Sequence, residues 1–136
     1  NFKKIKRNLP ININEIEKKI NSDYSYKTIN YILNHYKNIK FFWLMGADNL
    51  INFHMWQNWQ KIFNNMSIVI FRRHGYNSKA LISIASQKFK NSLIKKSLTT
   101  SLDFDKTPSW AVVENKEIKI SSTEIRNQRN KLRGSN

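Results

Sequence analysis

Phe41-Phe42-Trp43-Leu44-Met45 is an unbroken apolar run that stops at Gly46-Ala47-Asp48-Asn49, and Trp56 follows eight residues after Asp48. A short run of this kind reads as a buried strand, and its abrupt polar end as a loop carrying a carboxylate. Ligands of open α/β sheets bind outside the carboxyl ends of the strands. One segment therefore proposes a fold class, a site location and a polar ligand contact.

The rest of the chain alternates around that strand, which is read as Lys40 to Met45. Ile11 to Ile16 alternates at period two and reads as a short strand. Tyr26, Ile29, Leu33 and Tyr36 then fall at helical spacing, with Ser25 as the expected N-cap. Trp56, Trp59, Ile62 and Phe63 read as one face of a second helix, and Ser67 to Phe71 as a partly β-branched strand ending at Arg72-Arg73-His74-Gly75-Tyr76. Residues 78–90 read as a helix and 91–108 as a long polar connection. Trp110 to Val113 and Ile118 to Ile120 read as short strands, and Ser121-Ser122-Thr123-Glu124 as the start of a last helix. Strand–helix alternation of this order predicts an α/β fold, a parallel sheet covered by helices.

Size and composition set the bounds. At 136 residues the chain is one domain's worth, and 40% hydrophobic residues separate it from a disordered tail. No apolar run is long enough to cross a bilayer. The absence of Cys removes disulfides and thiolate metal sites, and suits a cytoplasmic location. The net charge of +15 suits a nucleic-acid binder. Yet Lys far outnumbers Arg and is scattered along the chain; Lys, Asn and Ile together make up roughly two-fifths of all residues. Against that background the basic charge is weak evidence for nucleic acid, and a solvated basic surface is the favoured reading.

Three constellations carry polar groups to places where such a sheet would bind a ligand. The first is Tyr24-Ser25-Tyr26-Lys27-Thr28, where a helix start offers free N–H groups to a carboxylate or phosphate; Ser25 as a plain cap is the alternative. The second is Gly46-Ala47-Asp48-Asn49 with Trp56. Gly permits close backbone approach, Asp48 can accept from a ribose diol, and an indole face suits a flat cationic ring. A capping Asp48 and a core Trp56 are the alternatives. The third is Ile120 to Arg126, whose hydroxyls and arginine would suit a triphosphate, or simply cap a helix. Arg73 is a phosphate contact or a surface arginine. His35, His54 and His74 have no metal-site spacing, and with three Gly there is no glycine-rich phosphate loop.

In this order the segments resemble bacterial nicotinate-nucleotide adenylyltransferases: Tyr24 to Thr28, Phe42 to Asn49, Phe53 to Trp59, Arg73 to Tyr76 and Ile120 to Arg126, spanning roughly residues 11–130. The resemblance implies a Rossmann-like, doubly wound parallel sheet. It also implies adenylyl transfer from ATP to nicotinate mononucleotide, giving deamido-NAD and pyrophosphate with Mg²⁺ assisting. Carried over residue by residue, Trp56 would stack on the pyridine ring, and Ser25 with the Tyr26 backbone would hold the nicotinate carboxylate. Gly46 and Asp48 would bind ribose, and Ser122, Thr123 and Arg126 would face the ATP phosphates with Arg73 nearby. His74 stands where that family usually has Pro. The family's opening Gly-x-Phe-Asp-Pro-x-His-x-Gly-His is not in the chain, so no catalytic residue is assigned here. A partial nucleotidyltransferase domain is expected, inactive by itself. A sister enzyme acting on phosphopantetheine, and a non-enzymatic basic nucleic-acid-binding module, are the other readings. Trp56 argues against the former, whose substrate has no aromatic ring to stack.

Overall fold

The computed structural model describes residues 14–94 and 106–113. A short helix α1 (Ile16–Lys19) leads to α2 (Ser25–His35) and then strand β1 (Phe42–Gly46). Helix α3 (Ala47–Asn52) follows without an intervening loop, then a 3-10 turn (Phe53–Met55) and α4 (Trp59–Asn65). Strand β2 (Ser67–Phe71), α5 (Asn77–Leu81), α6 (Ile84–Lys88), a 3-10 turn (Lys90–Ser92) and β3 (Trp110–Val113) complete the described chain.

The three strands form one sheet in the order β1-β2-β3, parallel throughout. Parallel neighbours cannot be joined by a hairpin, so α3 and α4 carry the chain from β1 to β2, and α5 and α6 begin the return from β2 to β3. This is the α/β arrangement with a parallel sheet that the alternating sequence predicts, and it is consistent with the Rossmann-like sheet that the resemblance implies. Register fixes what each face sees. Trp43 lies opposite Ile68 and Met45 opposite Ile70, while Ile68 and Ile70 in turn face Trp110 and Val112.

That face builds the core. Met45, Ile68, Ile70 and Trp110 pack with Ile29 of α2, Ala47 and Leu50 of α3, Ile62 and Phe63 of α4, Ala80, Ala85 and Phe89. Phe63 ties the layers together, stacked on Phe89 at 4.3 Å and edge-on to Trp110 at 6.4 Å. Burying such side chains stabilises the fold by about 1.5–3 kcal/mol each. The opposite face holds a smaller cluster of Val69 and Ala111 with Ile94 and Val113. Toward β1 that face opens, and Phe42 and Leu44 are exposed.

Five expectations are corrected. The loop expected to carry Asp48 is instead the first turn of α3. Ile11 to Ile13 lie outside the described residues, but Ile16 opens a helix, so the strand expected through Ile16 does not reach it. Ser25 is the first helical residue and not the N-cap: the Tyr24 carbonyl accepts from the N–H groups of Lys27 and Thr28, and no side chain caps the helix. Trp56 is not on a helix. Its backbone is extended (φ −74°, ψ 143°), and the left-handed Asn58 (φ 55°) resets the chain before α4. Residues 78–90 are two helices, because Ser83 adopts an extended backbone and its hydroxyl accepts from the Ser86 N–H to start α6 afresh. The strand at 118–120 and the helix from Ser121 lie outside the described residues.

Candidate functional site

Two clusters of polar groups stand at the ends of these elements. The first surrounds a cavity of about 330 Å³ lined by Asp23 to Tyr26 on one side and Met55 to Gln57 on the other. Ser25 and Tyr26, which begin α2, and Trp56 are thereby brought together from two separate stretches of chain. The N–H groups of Ser25 and Tyr26 make no hydrogen bond among the described residues. The helix start is thus open toward an anion.

Trp56 is held by two rings. Trp43 of β1 meets it edge-on at 6.4 Å, and Phe53 lies tilted against it at 4.8 Å. Its N–H donates to the Phe53 carbonyl at 3.0 Å, which fixes the backbone that presents it. Nothing in the sequence marks Trp43 or Phe53 as a supporting residue. Both precede Trp56 by distances that carry no periodic signal once the helix is broken. Met55 and Gln57 are likewise unmarked, because both sit in irregular backbone.

The second cluster is at the carboxyl ends of β1 and β2. Asp48 lies in the first turn of α3, and its Oδ1 stands 3.3 Å from Arg73 Nε. That oxygen is buried and has no hydrogen-bond partner, so the contact with Arg73 is an ion pair and the lone pairs of Oδ1 remain to be met. Gly46 ends β1 beneath this pair. Arg73 follows β2 in a turn held at two points: its N–H donates to Asn77 Oδ1 at 2.8 Å, and its carbonyl accepts from Tyr76 at 3.1 Å. Gly75 in the same turn has φ +79°, a conformation costly for other residues. Asn77 carries no signal in the sequence beyond being an amide four residues past the arginine.

Gly46, Asp48 and Arg73 therefore meet, as do Ser25, Tyr26 and Trp56; Trp43 of β1 connects the second trio to the strand bearing the first. Ser122, Thr123 and Arg126 lie outside the described residues. Among the described residues no three His, Cys, Asp or Glu side chains gather as a metal cage, and no helix is long and apolar enough to cross a membrane.

A parallel sheet with polar groups collected at its carboxyl edge is the arrangement in which open α/β proteins bind their ligands. A model of the cytidylyltransferase-like family matches residues 2–128, and the chain belongs to that family. Among its curated relatives are three named probable nicotinate-nucleotide adenylyltransferase. The protein from Rhizobium meliloti is 32% identical over 123 residues, covering 90% of this chain and 65% of its own length. The one from Ruegeria sp. is 33% identical over 116 residues, covering 85% of this chain and 61% of its own length. The one from Cereibacter sphaeroides is 28% identical over 124 residues, covering 91% and 66%. The chain thus spans just under two-thirds of the length of these relatives.

Proposed function

We propose that this chain recognises nicotinate mononucleotide and ATP, as part of an adenylyltransferase that joins them into deamido-NAD and pyrophosphate. The observation that carries this reading is the cavity in which the open start of α2 lies across from Trp56. An aromatic ring bearing a carboxylate needs a stacking platform and an anion socket in one small space, and these residues supply both. The names of the relatives support the same chemistry.

In this reading Ser25 and the Tyr26 N–H hold the pyridine carboxylate while Trp56 stacks on the ring. Asp48 accepts from a ribose diol above Gly46 through its one-third-exposed side chain, while the buried Oδ1 faces Arg73. Arg73 turns toward phosphate, and Ser122, Thr123 and Arg126 take the triphosphate. Adenylyl transfer of this kind needs no covalent enzyme intermediate. The mononucleotide phosphate attacks the α-phosphorus of ATP in line, the bond to the β-phosphate oxygen breaks, and pyrophosphate leaves. What the protein contributes is alignment and the neutralisation of developing charge. Among the described residues no three His, Cys, Asp or Glu side chains gather to hold a metal; in this reading Mg²⁺ would enter with the phosphates of ATP. We place the enzyme in the cytoplasm.

The test is turnover by the protein from its complete gene, with ATP and either nicotinate mononucleotide or phosphopantetheine. Trp56→Ala is expected to lower kcat/KM for nicotinate mononucleotide by roughly 5- to 100-fold, the scale of one lost aromatic stack. Turnover of phosphopantetheine, or indifference to the loss of Trp56, would sink this assignment.

A further inference from the structure

Asp48 stands two residues beyond the end of β1, and Arg73 two residues beyond the end of β2. The two strand ends are themselves partners, Gly46 opposite Phe71. The carboxylate and the guanidinium therefore come from equivalent positions on adjacent parallel strands, and meet through Nε and Oδ1 at 3.3 Å. With side chains 48% (Arg73) and 33% (Asp48) exposed, this pair is too solvated to matter much for folding. Yet room is made for it. A Cβ on Gly46 would come within 2.3 Å of Asp48 Oδ1 and 2.9 Å of Arg73 Nε, although the Gly46 backbone itself is ordinary extended chain. The turn that carries Arg73 is fixed by Asn77 and Tyr76, as described above.

We propose that Arg73 is a positioning residue for Asp48: through Nε it fixes the ribose-binding carboxylate, and Gly46 lacks a side chain so that the two can meet. The guanidinium meets Asp48 through Nε alone, in an ion pair at 3.3 Å. Its Nη groups make no hydrogen bond to the described residues, so the same side chain can reach a phosphate while it orients the carboxylate. Ribose and phosphate recognition are then linked through one planar group. A surface ion pair without function would leave ribose recognition untouched when it is removed.

This inference rests on the ribose role given to Asp48 under Proposed function, and the experiment separates the two. Calorimetry on the protein from its complete gene would compare ATP with 2′,3′-dideoxy-ATP, and nicotinate mononucleotide with its 2′,3′-dideoxy form. Wild type is expected to prefer the hydroxylated member of at least one pair by roughly tenfold or more, as a hydrogen bond to a charged acceptor requires. Arg73→Gln should shrink that preference to about threefold or less. Arg73→Lys, which keeps the charge but not the planar edge, should shrink it as well while retaining more of the total affinity. Unchanged thermal midpoints would show both variants to be folded. If wild type shows no preference in either pair, Asp48 does not hold ribose and the site reading fails together with the inference. If wild type shows it and Arg73→Gln keeps it while weakening both members equally, Arg73 serves phosphate alone and only the inference is overturned.

Discussion

Gly46 has a backbone conformation (φ −80°, ψ 158°) open to any residue, and its importance lies in the volume above it. The atoms a new Cβ would meet are the far ends of two side chains, Asp48 Oδ1 and the Arg73 guanidinium, which can swing aside at little cost to the fold. Gly46→Ala is therefore expected to leave stability within about 0.5 kcal/mol, the scale of an ordinary surface change. Binding of the ribose-bearing ligand should fall about tenfold, the effect of removing one charge-assisted hydrogen bond. Thermal unfolding and calorimetric titration of the same preparation would check both halves. The sequence points to Gly46 for close backbone approach of a ligand, and the structure places two side chains over its missing Cβ. The side-chain pair above it is not legible in the sequence, because Asp48 and Arg73 are 25 positions apart and only the parallel register brings them together.

At the scale of elements, Ser83 governs the break between α5 and α6. Its hydroxyl accepts from the Ser86 N–H and lies 2.7 Å from the Ser86 hydroxyl, with both residues buried. Ser83→Ala removes that cap and should cost about 1 kcal/mol, or up to about 2 once the buried hydroxyl pair is counted as well. A lower urea midpoint at unchanged slope would show it. Strands β2 and β3 are legible to the residue, and β1 to within two, because each is a short apolar run with a defined end. Helix α2 is legible from its spacing. What is not legible is where helical spacing continues across a break. Trp56, Trp59, Ile62 and Phe63 look like one helical stripe, yet Asn58 takes a left-handed conformation and detaches Trp56 from the helix. That detachment leaves its indole on the cavity wall. For residues 78–90 the periodicity misleads in the same way, because the apolar spacing runs on across Ser83, whose type favours a cap over a helix interior.

For the whole molecule, the distribution of aromatic rings matters more than the net charge of +15. Phe53, Phe63, Phe89 and Trp110 form a connected core. Lysines 19, 27, 40 and 61 instead lie over the rings of Tyr31, Tyr24, Phe42 and Tyr26. Trp110 joins sheet and helical layer by donating from Nε1 to the Phe89 carbonyl at 2.8 Å. Trp110→Phe would remove that bond and leave the Phe89 carbonyl with the Ser92 N–H alone, costing about 0.5–1.5 kcal/mol before any cavity term is added. Equilibrium denaturation should register the change as a global shift in all probes together. The sheet is the part of this architecture that the sequence announces. The aromatic chain through Phe63 is not, since residue type shows that a ring is buried but not which ring it touches.

The placement of the indoles has an optical consequence. Trp110 is sealed from solvent and hydrogen-bonded in the middle of the molecule, whereas Trp56 lines the cavity with Trp43 at its edge. With Trp59, the fourth indole, replaced by Phe, they form a two-channel reporter: quenching confined to the Trp56–Trp43 pair would count bound ligand, while steady emission from Trp110 certified that the same molecules were still folded.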